Sequence, residues 1–340
     1  MQNDEVLQRR LQAEADRKGE DVEAARCRLL QAGLDAERER RERTAQAARL
    51  NVDVLLVTAT MAEHRMLREE AAAHGLEFER RPGRFCTYYH LGTIGTDRVA
   101  SIQVEMGAFG PGGSASRCIQ ARAETRATAL ILIGTAFGIE QRQQHVGDVL
   151  VSESVFLYDD RDVIDGSQPS PLEASLHAVG RAIDRTTSER WRLARRMRAL
   201  SGPGYAVLYG PENRRPASGA WVSRFRRLAE EWGRAGETER VIVGTVLSGG
   251  SRIASARFRD DLVAAIPRMD PPLVGGEMEA MGAIAASGAD DQDPGWIVVK
   301  GIADFADAHS RAEIEATRDR AARSSARAVL HVLRTPASPI

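Results

Sequence analysis

Two carboxylates bracket a small-residue helix and an apolar strand near the end of the chain, and their spacing constrains the fold more than any other feature. The stretch from Gly275 to Asp307 reads GGEMEAMGAIAASGADDQDPGWIVVKGIADFAD. Ala280 to Ser287 is small and apolar enough for a buried helix, with Glu279 at or near its first turn. Trp296 to Lys300 is a short run rich in valine and isoleucine, the pattern of a buried strand. Asp304 then falls just past that strand's carboxyl end, where ligands of open α/β sheets bind. Taken singly, each acid has a plainer explanation. An Asp after a strand caps the next helix, and a Glu in a first turn complements the helix dipole. Together, Glu279 and Asp304 face one crevice.

Before this stretch the chain alternates between strand and helix patterns. Met1 to Leu50 is rich in Arg, Glu, Gln and Ala, with no proline or aromatic residue. Val6, Leu7, Leu11, Val22, Leu29, Leu30 and Leu34 give it only a thin apolar stripe, so residues 1–50 read as a helical hairpin or weak coiled coil that gains from a partner face. A solvated helical leader without a partner explains the same pattern. VDVLLVTAT reads as a buried strand and MAEHRMLREEAAAHG as an amphipathic helix closed by Gly75, with Glu63 in the first strand-to-helix turn. Tyr88 to Leu91 and Arg98 to Val104 follow as strands, the second running into the glycine-rich loop EMGAFGPGGSAS. There Gly107 to Gly113 let backbone N–H groups approach a ligand, although the spacing of a phosphate loop is missing. ALILIGTAFG, VLVSESVFL and VIVGTVL are further strands, and Arg311 to Leu333 is an alanine-rich closing helix.

This order predicts an α/β fold with a mixed, largely parallel central sheet flanked by helices, preceded by a helical extension. Residues 51–335 form the main domain. Within it, residues 161–239 hold five of the 13 prolines, a basic run RWRLARRMRAL and a second helix WVSRFRRLAEEW, and read as an insertion over one rim of the site.

Composition narrows the function classes. A 340-residue chain with 43% hydrophobic residues can bury a large core. A net charge of −1 gives no global attraction to nucleic acid. The chain has no apolar run of membrane-spanning length and no hydrophobic signal segment after Met1. Cys27, Cys86 and Cys118 are odd in number and far apart, with no CxxC or HxxxH pair, so neither a metal nor another cofactor is expected and the cytoplasm is the expected compartment.

GGEMEA followed by VVKGIADFAD resembles the closing signature of the nucleoside phosphorylase and nucleosidase superfamily, closest to its methylthioadenosine/S-adenosylhomocysteine nucleosidase branch. The resemblance covers roughly Asn51 to Leu333 and implies that fold and the breaking of an N-glycosidic bond. It implies that Asp304 protonates the leaving purine at N7, that Glu279 binds the ribose hydroxyls and faces the sugar cation, and that Glu63 activates water. Met278 is implied to pack under the ribose and Glu277 to share the hydroxyl contacts, unless it is structural. Gly107, Thr135, Ser248, Gly249 and Ile253 are further implied substrate contacts. Arg252 stands where small-thioether nucleosidases carry an aromatic residue, and a guanidinium can stack on a base or contact a phosphate. The phosphorylase branch needs arginines around phosphate. Here the first turn holds Glu63 and the strand position is the apolar run Leu130 to Ile133, both favouring hydrolysis.

The wording GGEMEAMG is similar to nucleosidase domains linked to signalling and antiphage defence, which implies an adenine nucleotide, ATP foremost, as substrate. A thioether nucleoside is the competing substrate, with Phe109, Phe137, Ile139 and Phe156 as candidate apolar lining. A non-catalytic nucleotide sensor is the third reading. The resemblance also implies a homodimer or higher homo-oligomer, and the 1–50 extension fits a regulatory protein partner.

Overall fold

The computed structural model describes residues 2–48, 51–165, 205–235, 237–287, 293–307 and 311–335. RWRLARRMRAL lies outside them.

Four strands form the parallel centre. β1 (Val54–Thr58) lies between β4 (Asp97–Gln103) and β5 (Ala129–Gly138), and β12 (Trp296–Asp304) pairs with the other edge of β5. All of β1 and nearly all of β12 are buried, which is why both read as unbroken apolar runs. Beyond β12 come β6 (Val149–Leu157), antiparallel to it, then β10 (Val241–Ser248) and β11 (Leu273–Glu277), both parallel to β6. β11 then pairs antiparallel with the end of β5, closing a ring. On the far side β2 (Glu79–Pro82) and β3 (Thr87–Ile94) extend β4 antiparallel. The sheet is thus mixed with a parallel centre, as expected. β12 runs four residues beyond the apolar stretch seen in the sequence, so Asp304 ends the strand rather than following it.

Helices cover the sheet. α1 (Gln2–Lys18) and α2 (Val22–Ala48) form a hairpin that buries Leu11, Ala15 and Ala25 but leaves Val6, Leu7, Leu29, Leu30 and Leu34 exposed. α3 (Met61–Ala73) follows β1, and α4 (Ser114–Thr125) follows the glycine-rich loop. The segment 161–239 divides into two kinds of structure. β7 (Asp162–Asp165) and β8 (Tyr205–Leu208) make a separate two-stranded sheet, and β9 (Arg214–Pro216) pairs antiparallel with β6. α5 (Gly219–Ala235) instead buries Trp221, Val222, Phe225, Leu228 and Trp232 in the main core, a helical spacing that lays one apolar stripe on the sheet. It therefore belongs to the packed body and not to a rim.

α6 (Ala256–Ala265) and α7 (Ala280–Ala286) follow β10 and β11. α8 (Arg311–Arg334) closes the core against β12, burying Ala321, Ala322, Ala326, Val329 and Leu330. Gly301 permits that approach, since a Cβ there would stand 2.0 Å from the Ala321 carbonyl oxygen. Among the described residues no helix is long and apolar enough to cross a membrane.

Candidate active site

The carboxyl ends of β1, β5, β11 and β12 meet at one cavity. Glu63, Thr135, Glu277, Met278, Glu279 and Asp304 all line it, together with Arg252 and Ile253.

Glu63 is set by its own helix end. Thr60 is the N-cap of α3, and its hydroxyl accepts from the Glu63 N–H at 3.2 Å. In return, Glu63 Oε2 accepts from the N–H groups of Ala59 (2.8 Å) and Thr60 (2.9 Å), a capping box. Oε1 reaches across to β5, where it accepts from the N–H of Thr135 at 2.8 Å and from its hydroxyl at 3.1 Å. Gly134 leaves the room, because a Cβ there would lie 2.2 Å from Oε1. The side chain is buried, and a carboxylate's four lone-pair positions all have donors.

The second acid group sits at the start of α7. Glu277, the last residue of β11, accepts from the N–H groups of Glu279 (2.8 Å) and Ala280 (3.0 Å), and so caps the helix from one turn upstream. Burial, and then the negative charge of Glu279, push its carboxyl up to about 7. Glu279 Oε1 accepts from the Gly107 N–H at 3.0 Å and Oε2 from Lys300 Nζ at 3.0 Å. Burial works to raise the Glu279 carboxyl, but the Lys300 ammonium and the Gly107 N–H outweigh it and hold the group below the usual carboxylate range. Lys300 is 1% exposed, and burial opposes its charge; Glu279 and then Glu63 overcome that and hold it above the ordinary lysine range. The Gly107 and Lys300 bonds occupy one acceptor position on each oxygen of Glu279.

Asp304 is half-buried, and its Oδ1 accepts from the Ala306 N–H at 2.7 Å. Beside it are Ala136, Phe137 and Ala303, which make that wall apolar. The site thus joins the half-buried carboxyl group of Asp304, a cation-neutralised carboxylate and a third carboxyl group held by neutral donors around one space. That set suits the transfer of a proton to a leaving group while a developing positive charge is stabilised.

The sequence matches the phosphorylase superfamily over residues 53–334. The chain belongs to that superfamily. Three solved structures illustrate the likeness in fold. The methylthioadenosine/S-adenosylhomocysteine nucleosidase of Neisseria meningitidis, in complex with methylthio-immucillin-A, is 19% identical, with 83% of this chain and 98% of that one covered at a TM-score of 0.56. The S-adenosylhomocysteine nucleosidase of Streptococcus pyogenes is 19% identical, covering 84% and 97% at 0.56. Futalosine hydrolase of Helicobacter pylori is 16% identical, covering 84% and 98% at 0.57. No curated protein sequence matches significantly.

For this superfamily member, three of the expected substrate contacts fall outside the cavity wall. Gly107 donates its N–H to Glu279 and so positions an acid instead. Ser248 ends β10 in register with Leu157 and Glu277, buried between two strands. Gly249 packs against the Tyr158 ring, which a Cβ would approach to 2.3 Å. Of the four apolar candidates only Phe137 lines the cavity; Phe156 is core and Phe109 is 72% exposed.

Sequence reasoning missed Lys300, Thr60 and Arg318. Lys300 had a signal, since a lysine inside WIVVKGIAD sits in a fully buried strand and needs an acid partner. Arg318, on α8, had none. Away from the cavity, Glu77, Glu79 and His90 bring possible metal-ligand atoms within 4.8 Å of one another at the surface, but Glu79 already pairs with Arg81 at 2.7 Å.

Proposed function

We propose that the protein hydrolyses the N-glycosidic bond of an adenine nucleotide, ATP foremost, releasing adenine as an effector of antiphage defence. The observation that carries the reading is the convergence of Asp304, Glu279 and Glu63 on one cavity. In this mechanism the bond between C1′ and N9 lengthens as Asp304 delivers its proton to N7. The ribose approaches an oxocarbenium ion, and Glu279, its charge balanced by Lys300, accepts from the ribose hydroxyls and faces that cation. Water attacks C1′ and passes its proton to Glu63. For this the water takes the place of the Thr135 hydroxyl, the longest of the four hydrogen bonds on that carboxylate.

Support for a phosphorylated substrate comes from Arg252. It lines the cavity and has no ion pair or hydrogen bond among the described residues, as a residue awaiting an anion would. The defence role rests on the wording GGEMEAMG and on the α1–α2 hairpin, whose exposed Leu29, Leu30 and Leu34 suit a regulatory partner. The same reading includes a cytoplasmic homodimer or higher homo-oligomer. A thioether nucleoside is the second reading, favoured by Met106, Phe137 and Met278 on the cavity wall and by the likeness in fold to methylthioadenosine/S-adenosylhomocysteine nucleosidases. A pure sensor has no use for an acid placed to protonate a leaving group.

The test is adenine release from ATP, AMP, adenosine, methylthioadenosine and S-adenosylhomocysteine in parallel, with Asp304→Asn as control. Release from ATP, lost in Asp304→Asn while ligand binding persists, is the expected outcome. Full activity in that variant would remove the acid role. Release from the thioether nucleosides alone would move the substrate to the second reading.

A further inference from the structure

Arg318 is the one cavity-lining residue contributed by α8. The arginines that follow it on that helix are all engaged. Arg320 pairs with Glu239 at 3.5 Å, Arg323 with Glu69 at 2.7 Å and Glu70 at 2.9 Å, and Arg327 with Glu239 at 2.8 Å. Arg334 reaches His74 Nδ1 at 2.7 Å. Its neighbour Asp319 is likewise paired, with Arg65 at 2.6 Å. Arg318 has no hydrogen bond or ion pair among the described residues, although it is half-buried. A guanidinium that has given up part of its hydration without gaining an acceptor is left at a cost that an anion would remove.

Arg318 shares one cavity with the acids and with Arg252. The ion pairs of Asp319 and Arg323 fix this stretch of α8 against α3, whose first residues supply the Thr60 and Glu63 side of the cavity. Arg252 enters from a different element, the loop between β10 and α6, next to Ser251 and Ile253. Of a nucleotide seated against Glu279 and Asp304, the phosphate is the group that carries the negative charge a guanidinium in the same cavity can pair with.

We propose that Arg318 is the residue that makes the site selective for a 5′-phosphorylated nucleoside, by pairing with the phosphate attached to the sugar. This rests on the nucleotide reading above and adds to it the group that reads the phosphate. Arg suits the role because its planar fork can meet two phosphate oxygens at once. Because Arg318 lies outside the proton transfers, its loss should weaken the grip on phosphate without altering the response to the bare nucleoside.

Calorimetric binding of AMP and of adenosine to the wild-type full chain, Arg318→Gln and Arg318→Lys separates these effects. The wild type is expected to bind AMP about tenfold or more tighter than adenosine. Arg318→Gln should erase that preference, lowering AMP affinity about tenfold and leaving adenosine affinity within about twofold, with Arg318→Lys in between. Equal losses for both ligands would mark Arg318 as merely structural and overturn the proposal. So would an unchanged AMP affinity, or a wild type that binds neither ligand or shows no preference for AMP. Adenine release is followed on the same samples. A preference that depends on Arg318 without any release would leave the phosphate contact standing and remove the hydrolase reading.

Discussion

The start of α3 and the start of α7 solve the same problem in two ways. Each brings a nearly fully buried glutamate to the cavity, Glu63 at 2% and Glu279 at 5% exposure. Glu63 is held by four neutral donors, three of them from residues on its own turn or the facing strand's backbone, and it needs no cation. Glu279 depends on a buried ammonium and on one N–H from a glycine-rich loop far away in sequence. Glu63 is held by neutral dipoles alone, whereas Glu279 is locked to a cation and serves as a fixed negative charge. The proposed division of labour, base at Glu63 and electrostatic partner at Glu279, follows from that difference.

The largest effect that would sharpen this contrast is on stability. Lys300→Met strands a buried carboxylate and should cost about 3–5 kcal/mol, whereas Glu63→Gln, which mismatches one neutral donor, should cost about 1–3 kcal/mol. Urea unfolding with unchanged m-values measures both. The double variant Lys300→Met/Glu279→Gln should recover much of the first loss. If the two single variants cost the same, the distinction between cation-held and dipole-held acids is wrong.

A smaller effect is the response to pH, which has opposite signs for the two carboxylates at α7. Glu277, pushed up to about 7 by burial and then by Glu279, binds its proton more tightly in the folded chain than in the unfolded one. Its contribution therefore declines as pH rises from the ordinary carboxylate range, roughly 4, through about 7. Glu279, held low mainly by Lys300 against the effect of burial, contributes at neutral pH and loses that contribution as acid protonates it. Glu277→Gln should flatten the fall in unfolding free energy between roughly pH 5 and pH 7. An unchanged slope would show that the proton sits elsewhere.

The same contrast explains what could be read in the sequence. The parallel centre was legible because β1, β5 and β12 are buried on both faces and so appear as unbroken apolar runs. Glu63 was legible in the first strand-to-helix turn, and the capping box with Thr60 that fixes it there is local. The hydrogen bond from Gly107 to Glu279 spans 172 residues, and nothing in either segment announces it. The glycine-rich loop therefore reads as a ligand cradle when it serves the acid instead. α5 was misplaced for a related reason. Its arginines dominate the composition, while Trp221, Phe225 and Trp232, which decide where it packs, are few. Arg318 looked like any other arginine of a charged helix, because its lack of a partner is a property of three dimensions.

The most direct test of the account is the source of the oxygen that replaces adenine. ATP is incubated with the purified chain in phosphate-free buffer made with ¹⁸O-labelled water, and the products are examined by mass spectrometry. The account predicts free adenine and ribose 5′-triphosphate carrying one label on its C1 hydroxyl. Adenine release that requires added phosphate and yields a sugar 1-phosphate would contradict it, as would no release of adenine from ATP.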